Sequence, residues 1–170
     1  MTADDVIHAL GLEPLPVEGG YYRETYRASE EVPREVLPER YGQSRALATA
    51  IYFLVTPAKF SSMHRLPTDE LWFFHAGDPL EMLLLYPGGA GECVCLGSDF
   101  AAGEQPQLTV PMGTWQGARP SPGGTRGFSL VSTVMSPGFE FADLHPATRG
   151  ELLNGWPSFA EMITALTREG

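Results

Sequence analysis

With 170 residues, 43% of them hydrophobic, the chain is long enough for one domain with a full core and too apolar to be disordered. Its 11 Lys and Arg stand against 21 Asp and Glu, a formal charge of −10, which excludes a basic surface for nucleic-acid phosphates or an anionic membrane. The 19 Gly and 15 Pro fall between short apolar runs, the punctuation of strands and turns rather than of long helices.

Residues 2–11 read as a short helix, with Thr2 at its cap, Asp4 and Asp5 in the first turn, and Gly11 just after it. Pro14 and Pro16 enforce an extended stretch. Glu18 to Tyr26 is expected as the first strand, with Tyr22, Glu24 and Tyr26 on one face and Tyr21, Arg23 and Thr25 on the other. Residues 29–45 are polar, carry Pro33 and Pro38, and read as a surface loop or hairpin excursion. Ala46 to Val55 is an apolar run of central-strand length, closed by Thr56-Pro57. Further strands are expected over 60–64, 70–75, 80–86, 92–96, 107–110, 115–118 and 127–135, with a last strand-like run over 139–144. Turn chemistry separates them, as in Ala76-Gly77-Asp78-Pro79 and Pro111-Met112-Gly113. Ser158 to Arg168 reads as an amphipathic helix capped by Ser158, with Glu161 completing a capping box. Strands every ~8–12 residues with helices only at the ends predict an all-β sandwich or barrel, one domain over residues 1–170.

Nothing at the start has the basic and apolar order of a signal peptide, and no run approaches the ~20 apolar residues of a membrane helix. Cys93 and Cys95, two apart on one strand, are poorly placed for an unstrained disulfide and have no nearby partners for zinc. They read as small strand residues in a reducing cytoplasm.

Chemistry concentrates in His64 and Glu70, followed by Pro111-Met112-Gly113-Thr114-Trp115-Gln116. Alternation puts Ser62 and His64 on one strand face, and Glu70 with Trp72 and Phe74 on another. A carboxylate aligned with Trp and Phe costs several kcal/mol to bury unless paired, a conflict tolerated at functional sites. Pairing of Glu70 with Arg23 or Arg65, closing the barrel, is the structural alternative. His75 falls on the opposite face from Glu70 and is expected outside.

These residues resemble the cupin signature: His64, Glu70, Gly77, then Pro111-Met112-Gly113 and Gln116. The resemblance to one uncharacterised cupin subfamily covers most of the chain. It includes Glu18 to Tyr26, Thr49 to Leu54, His64-Arg65-Leu66, Asp69-Glu70, Gly77 to Leu80, Val110-Pro111, Trp115 to Ala118, and Ser136 to Glu140. It implies a double-stranded β-helix, the cupin jelly-roll barrel, with short N- and C-terminal helices, and a homodimer. Ser62 stands where the pattern has its first histidine and Gln116 where it has its last, and the His64–Glu70 spacing is one residue longer. A divalent metal held by His64, Glu70 and Gln116 would have an oxygen-rich set, better suited to Mn or Mg than to Zn, although cupin enzymes also use Fe, Ni and Zn.

Without a metal, the residues resemble those of the sugar-nucleotide 3,5-epimerases, in which a His abstracts a proton next to a carbonyl and a Tyr acts as acid. Tyr22, Tyr26 and Tyr52 could supply the hydroxyl, and Arg23, Arg27 and Arg65 the cations. A chain at −10 with a single Lys59 is not built around a nucleotide diphosphate. The expectation is therefore a small polar molecule in the barrel, with His64 and Glu70 catalytic and Ser62, Trp72, Trp115, Gln116, Tyr22 and Arg23 binding it. An isomerase-like enzyme is weighed against a binding module without turnover and a weakly metal-dependent enzyme.

Overall fold

The computed structural model describes residues 1–168; the final two positions of the expected 1–170 domain lie outside the described residues. Its helices are α1 (Ala3–Leu10), α2 (Arg149–Gly155) and α3 (Ala160–Ala165). Its strands, in chain order, are β1 (Glu13–Pro14), β2 (Tyr21–Arg27), β3 (Glu31–Val32), β4 (Arg45–Ala46), β5 (Thr49–Val55), β6 (Ser61–Arg65), β7 (Glu70–Gly77), β8 (Leu80–Leu85), β9 (Gly91–Leu96), β10 (Gln107–Val110), β11 (Trp115–Pro120), β12 (Ser129–Met135) and β13 (His145–Pro146). A six-stranded sheet runs β1-β2-β5-β12-β7-β10 and faces a five-stranded sheet, β13-β6-β11-β8-β9. Paired strands are antiparallel throughout both sheets, as the jelly roll requires.

Alternation along each strand divides the apolar residues into three clusters. Between the sheets lie Phe53, Val55, Trp72, Met82, Leu84 and Val131, with the Trp72 and Phe53 rings edge to face at 5.9 Å. Behind the smaller sheet, Met63, Leu83, Leu85 and Trp115 pack on Leu152, Ile163 and Leu166 of the C-terminal segment. Outside the larger sheet, Val6 of α1 packs with Leu12, Leu54 and Phe128. α1 is capped as its sequence predicts, Asp5 N donating to Thr2 Oγ1 (3.2 Å) and Thr2 N to Asp5 Oδ2 (2.8 Å). Among the described residues no helix is long and apolar enough to cross a membrane.

Three expectations need correcting. The first strand starts at Tyr21, not Glu18, because Gly19 and Gly20 turn the chain at φ of +101° and +73°. A Cβ at either glycine would also lie within 2.6 Å of a neighbour, the Phe60 carbonyl or the Phe53 ring. Residues 139–144 hold a single 3-10 turn, Phe141–Asp143, rather than a strand, because Asp143 turns back to accept from Glu140 N. The helix expected over Ser158 to Arg168 is a 3-10 turn, Pro157–Phe159, followed by α3, and α2 precedes it unannounced by the sequence reading. α2, capped by Thr148, ends where Trp156 anchors its indole N–H on the Tyr86 and Ala90 carbonyls, and Pro157 then starts a 3-10 turn. Ser158 therefore caps nothing.

Candidate functional site

One row of paired residues crosses the larger sheet near its end: Arg27 opposite Thr49, Thr49 opposite Met135, and Met135 opposite Glu70. On the smaller sheet Gln116 pairs with His64. A cavity of about 270 Å³ lies along the row of the larger sheet, and Ser62, His64 and Gln116 stand behind its lining rather than in it. Leu15, Ile51, Leu66, Met135 and the rings of Tyr22, Phe139 and Phe141 give it largely apolar walls. Glu18, Glu70 and Thr133 add polar groups, and Glu24, Arg27 and Glu140 complete the lining.

Glu70 is 7% exposed. Gln116, which reaches across from the opposite sheet, donates its amide N–H to Glu70 Oε2 at 2.6 Å, and the Thr133 hydroxyl is a second donor. Burial, then the nearby Glu18 carboxylate, raises the Glu70 carboxyl above its ordinary value, against opposing effects of His64, Thr133 and Gln116. Among the described residues no arginine forms an ion pair with it. Arg65 lies over Trp115 at 4.5 Å and Arg23 over Tyr52 at 5.6 Å, so barrel closure by either pair is excluded.

His64 is 2% exposed, and its Nδ1 lies 2.8 Å from the Ser62 carbonyl. A carbonyl only accepts, so Nδ1 carries a proton and Nε2 is the nitrogen left for chemistry. The nearest carboxylate to Nε2 is not Glu70 but Glu18, at 3.9 Å. Glu18 is itself held by the Ser61 hydroxyl, which donates to its Oε1 at 2.6 Å. The carboxylate beside His64 is thus Glu18, with Glu70 within electrostatic reach of both, and the Gly19-Gly20 turn is what brings Glu18 inward.

The remaining expected site residues divide. Tyr22 lines the cavity, and Ser62 lies on the inward face with His64, its hydroxyl buried and without a partner. Trp72 is 1% exposed inside the core and presents no cavity wall. Trp115 is removed from the site because it neighbours inward-facing Gln116 and so points behind the sheet, against the C-terminal helices. Arg23 is removed likewise, stacked on Tyr52 outside the larger sheet beside His75. His75 is exposed as expected, with Nε2 2.7 Å from Ser132 Oγ. Of the three tyrosines considered as acid, Tyr26 is 56% exposed and Tyr52 lies outside, which leaves Tyr22.

Sequence reasoning missed Glu18 on the polar floor and the outer wall of Phe139, Glu140 and Phe141, which is held by Arg27, one of the expected cations. Arg27 donates to both oxygens of Glu24 at 3.0 Å, to Glu140 Oε1 at 2.9 Å and to the Phe139 carbonyl at 3.1 Å. This fastens the segment 139–141 over the cavity. Phe141 meets Tyr22 edge to face at 6.4 Å and Phe139 at 5.3 Å. The same segment is pinned from behind by the buried Arg45–Asp143 pair. The Glu-Gly-Gly turn signal could have found Glu18; nothing local signals the outer wall.

The donors do not fit a metal centre. Gln116 turns its amide nitrogen, not its oxygen, toward Glu70. His64 Nε2 and Glu18 Oε2 are 3.9 Å apart without a common third donor. Among the described residues no group of three or more His, Cys, Asp or Glu could hold a metal ion.

Comparison with known proteins agrees with this architecture. The family model described as "Cupin superfamily (DUF985)" matches residues 4–147. The uncharacterized protein YML079W of Saccharomyces cerevisiae is 32% identical over 143 residues, covering 79% of this chain and 69% of that one. A hypothetical protein from Leishmania major superposes with a TM-score of 0.87 at 35% identity, over 99% of this chain and 100% of that chain. Protein SO0799 from Shewanella oneidensis does so with a TM-score of 0.86 at 38% identity, over 100% and 99%. Oxalate decarboxylase from Bacillus subtilis, a protein with Mn(II) centres, matches at a TM-score of 0.51 and 14% identity, over 94% of this chain and 38% of that chain. That likeness extends to the fold alone. On the family match and on relatives aligned along nearly their whole length, the chain belongs to the cupin superfamily, in the DUF985 family.

Proposed function

We propose that the protein binds a small organic molecule in the barrel cavity and moves a proton on it without a metal, as an isomerase does. The observation that carries this reading is the placement of two proton-carrying groups on opposite sheets. Glu70 projects from β7 and His64 from β6, and Gln116 spans from one sheet to the other. Each has its state prepared by neighbours: the Ser62 carbonyl fixes the His64 tautomer, and Gln116 with Thr133 orients the Glu70 carboxyl. A proton removed on one side of a bound carbon and returned on the other is what such a pair can catalyse. The cavity volume, about 270 Å³, sits at the lower edge of small-molecule sites. The fixed Nε2 of His64, 3.9 Å from cavity-lining Glu18, suits a base, and Tyr22 lines the cavity.

The test is solvent exchange. Chelator-treated protein is incubated in deuterium oxide with a panel of small carbonyl compounds, and deuterium incorporation is followed by proton NMR. The reading expects incorporation next to the carbonyl of at least one compound, lost in both His64→Ala and Glu70→Gln while the melting transition persists. Exchange that requires added metal, or that survives in both variants, overturns it. Stabilisation by a compound with no exchange anywhere favours the simpler alternative, a binding module.

A further inference from the structure

The cavity's polar groups are heavily biased toward acceptors. Four carboxylates line it, Glu18, Glu24, Glu70 and Glu140, against a single cation, Arg27. Arg27 is already engaged by Glu24, Glu140 and the Phe139 carbonyl, which also occupies the two carboxylates of the mouth. That leaves Glu18 and Glu70 on the floor. They lie near enough for the Glu18 charge to act on Glu70; their hydrogen-bond donors are neutral, Ser61 on Glu18 and Gln116 on Glu70, with His64 Nε2 3.9 Å from Glu18. The walls add three aromatic rings, Tyr22, Phe139 and Phe141, whose electron-rich faces attract cations.

From these features we infer that the cavity takes a cationic amine, an ammonium on a small apolar or aromatic body, with the ammonium lodged beside Glu18 and Glu70. An ammonium brings three donors and no acceptor, which matches the two carboxylates of the floor. An anionic head group would meet two carboxylates with no free cation among the lining residues. The body of the ligand fills the apolar part of the cavity against Leu15, Ile51 and Phe141. This inference rests on the reading of the cavity as a small-molecule site and names the class of molecule.

The test compares three probes of one shape and different charge, benzylamine, benzyl alcohol and benzoate, by isothermal titration calorimetry on the full chain at neutral pH. Benzylamine is expected to bind at least about tenfold tighter than benzyl alcohol, a difference of about 1.4 kcal/mol, with benzoate weakest. Glu18→Gln and Glu70→Gln, each first checked for an intact melting transition, should each remove most of the benzylamine advantage over benzyl alcohol. Equal affinity for amine and alcohol, or tighter binding of benzoate, overturns the inference and leaves the cavity a site for some other class. Failure of benzylamine to bind at about 10 mM, a concentration that reports even weak complexes, overturns it as well. The exchange assay above uses neutral carbonyl compounds and reports separately on the acid–base reading.

Discussion

Replacing Asp143 by alanine tests how the outer wall of the cavity is held. Arg45 and Asp143 are buried, with side chains 2% and 5% exposed. Arg45 donates through Nη2 to Asp143 Oδ1 at 2.5 Å and through Nε to Oδ2 at 3.3 Å. Asp143 Oδ2 also accepts from Glu140 N at 3.2 Å. In Asp143→Ala the guanidinium keeps the Gln43 and Ser44 carbonyls and the face of Tyr41, but it becomes a buried cation without a counter-charge. Breaking one side of a buried pair costs ~3–5 kcal/mol. At about 2–4 °C per kcal/mol for a domain of this size, the melting temperature should fall by roughly 6–20 °C. Urea denaturation and calorimetry measure both quantities. Removing the charge from both sides, as in Arg45→Met with Asp143→Ala, should recover a large part of the loss. A loss below about 1 kcal/mol in the single variant would mean that water or another group neutralises Arg45, and would refute the account of the pinned wall.

Three further outcomes follow from the same geometry. A Glu70 carboxyl held above its ordinary value of 4.5 binds its proton more tightly folded than unfolded, so its contribution is fully present below 4.5 and is lost as pH rises through the folded value. Glu70→Gln should therefore gain stability relative to the parent as pH rises, with the smallest difference in acid; thermal melts from acid to mildly alkaline pH report it, and a gain largest in acid contradicts it. Arg27→Ala removes ion pairs whose side chains are about one-third or more exposed, so stability should change by less than about 1 kcal/mol. Its effect belongs to the cavity mouth, and stopped-flow measurement should find faster ligand release; a large stability loss with unchanged release counts against this. Trp115→Phe should cost stability through lost packing on Leu152, Ile163 and Leu166, and leave benzylamine affinity in calorimetry unchanged, since the ring lies behind the sheet.

The strands were legible because alternation and Gly/Pro punctuation survive in them almost unaltered, and Gln107–Val110 is recovered to the residue. His64, Glu70 and Gln116 were legible for the same reason, since each sits inward on its strand. Trp115 illustrates a rule applied incompletely: it and Gln116 are adjacent, so both could not face the cavity. The apolar look of Phe139, Phe141 and Leu144 suggested a strand, yet Asp143 folds them into a turn held by Arg45, a partner almost a hundred residues away. Glu18 was hidden by reading Gly19 and Gly20 as strand rather than turn. Contacts made across the barrel mouth carry no local signal. Even so, two segments quoted for the family likeness, Glu18 to Tyr26 and Ser136 to Glu140, converge on the cavity and supply Glu18, Tyr22, Glu24, Phe139 and Glu140.

The most direct test of a metal-independent proton-carrying site is a carbon-13 NMR titration of the Glu70 side-chain carboxyl, assigned by its loss in Glu70→Gln. The account predicts a carboxyl that titrates above the ordinary glutamate value, moves downward when Glu18→Gln removes the neighbouring charge, and gives the same curve before and after chelator treatment. A carboxyl that ionises at the ordinary value, or a curve that depends on chelation, would contradict it.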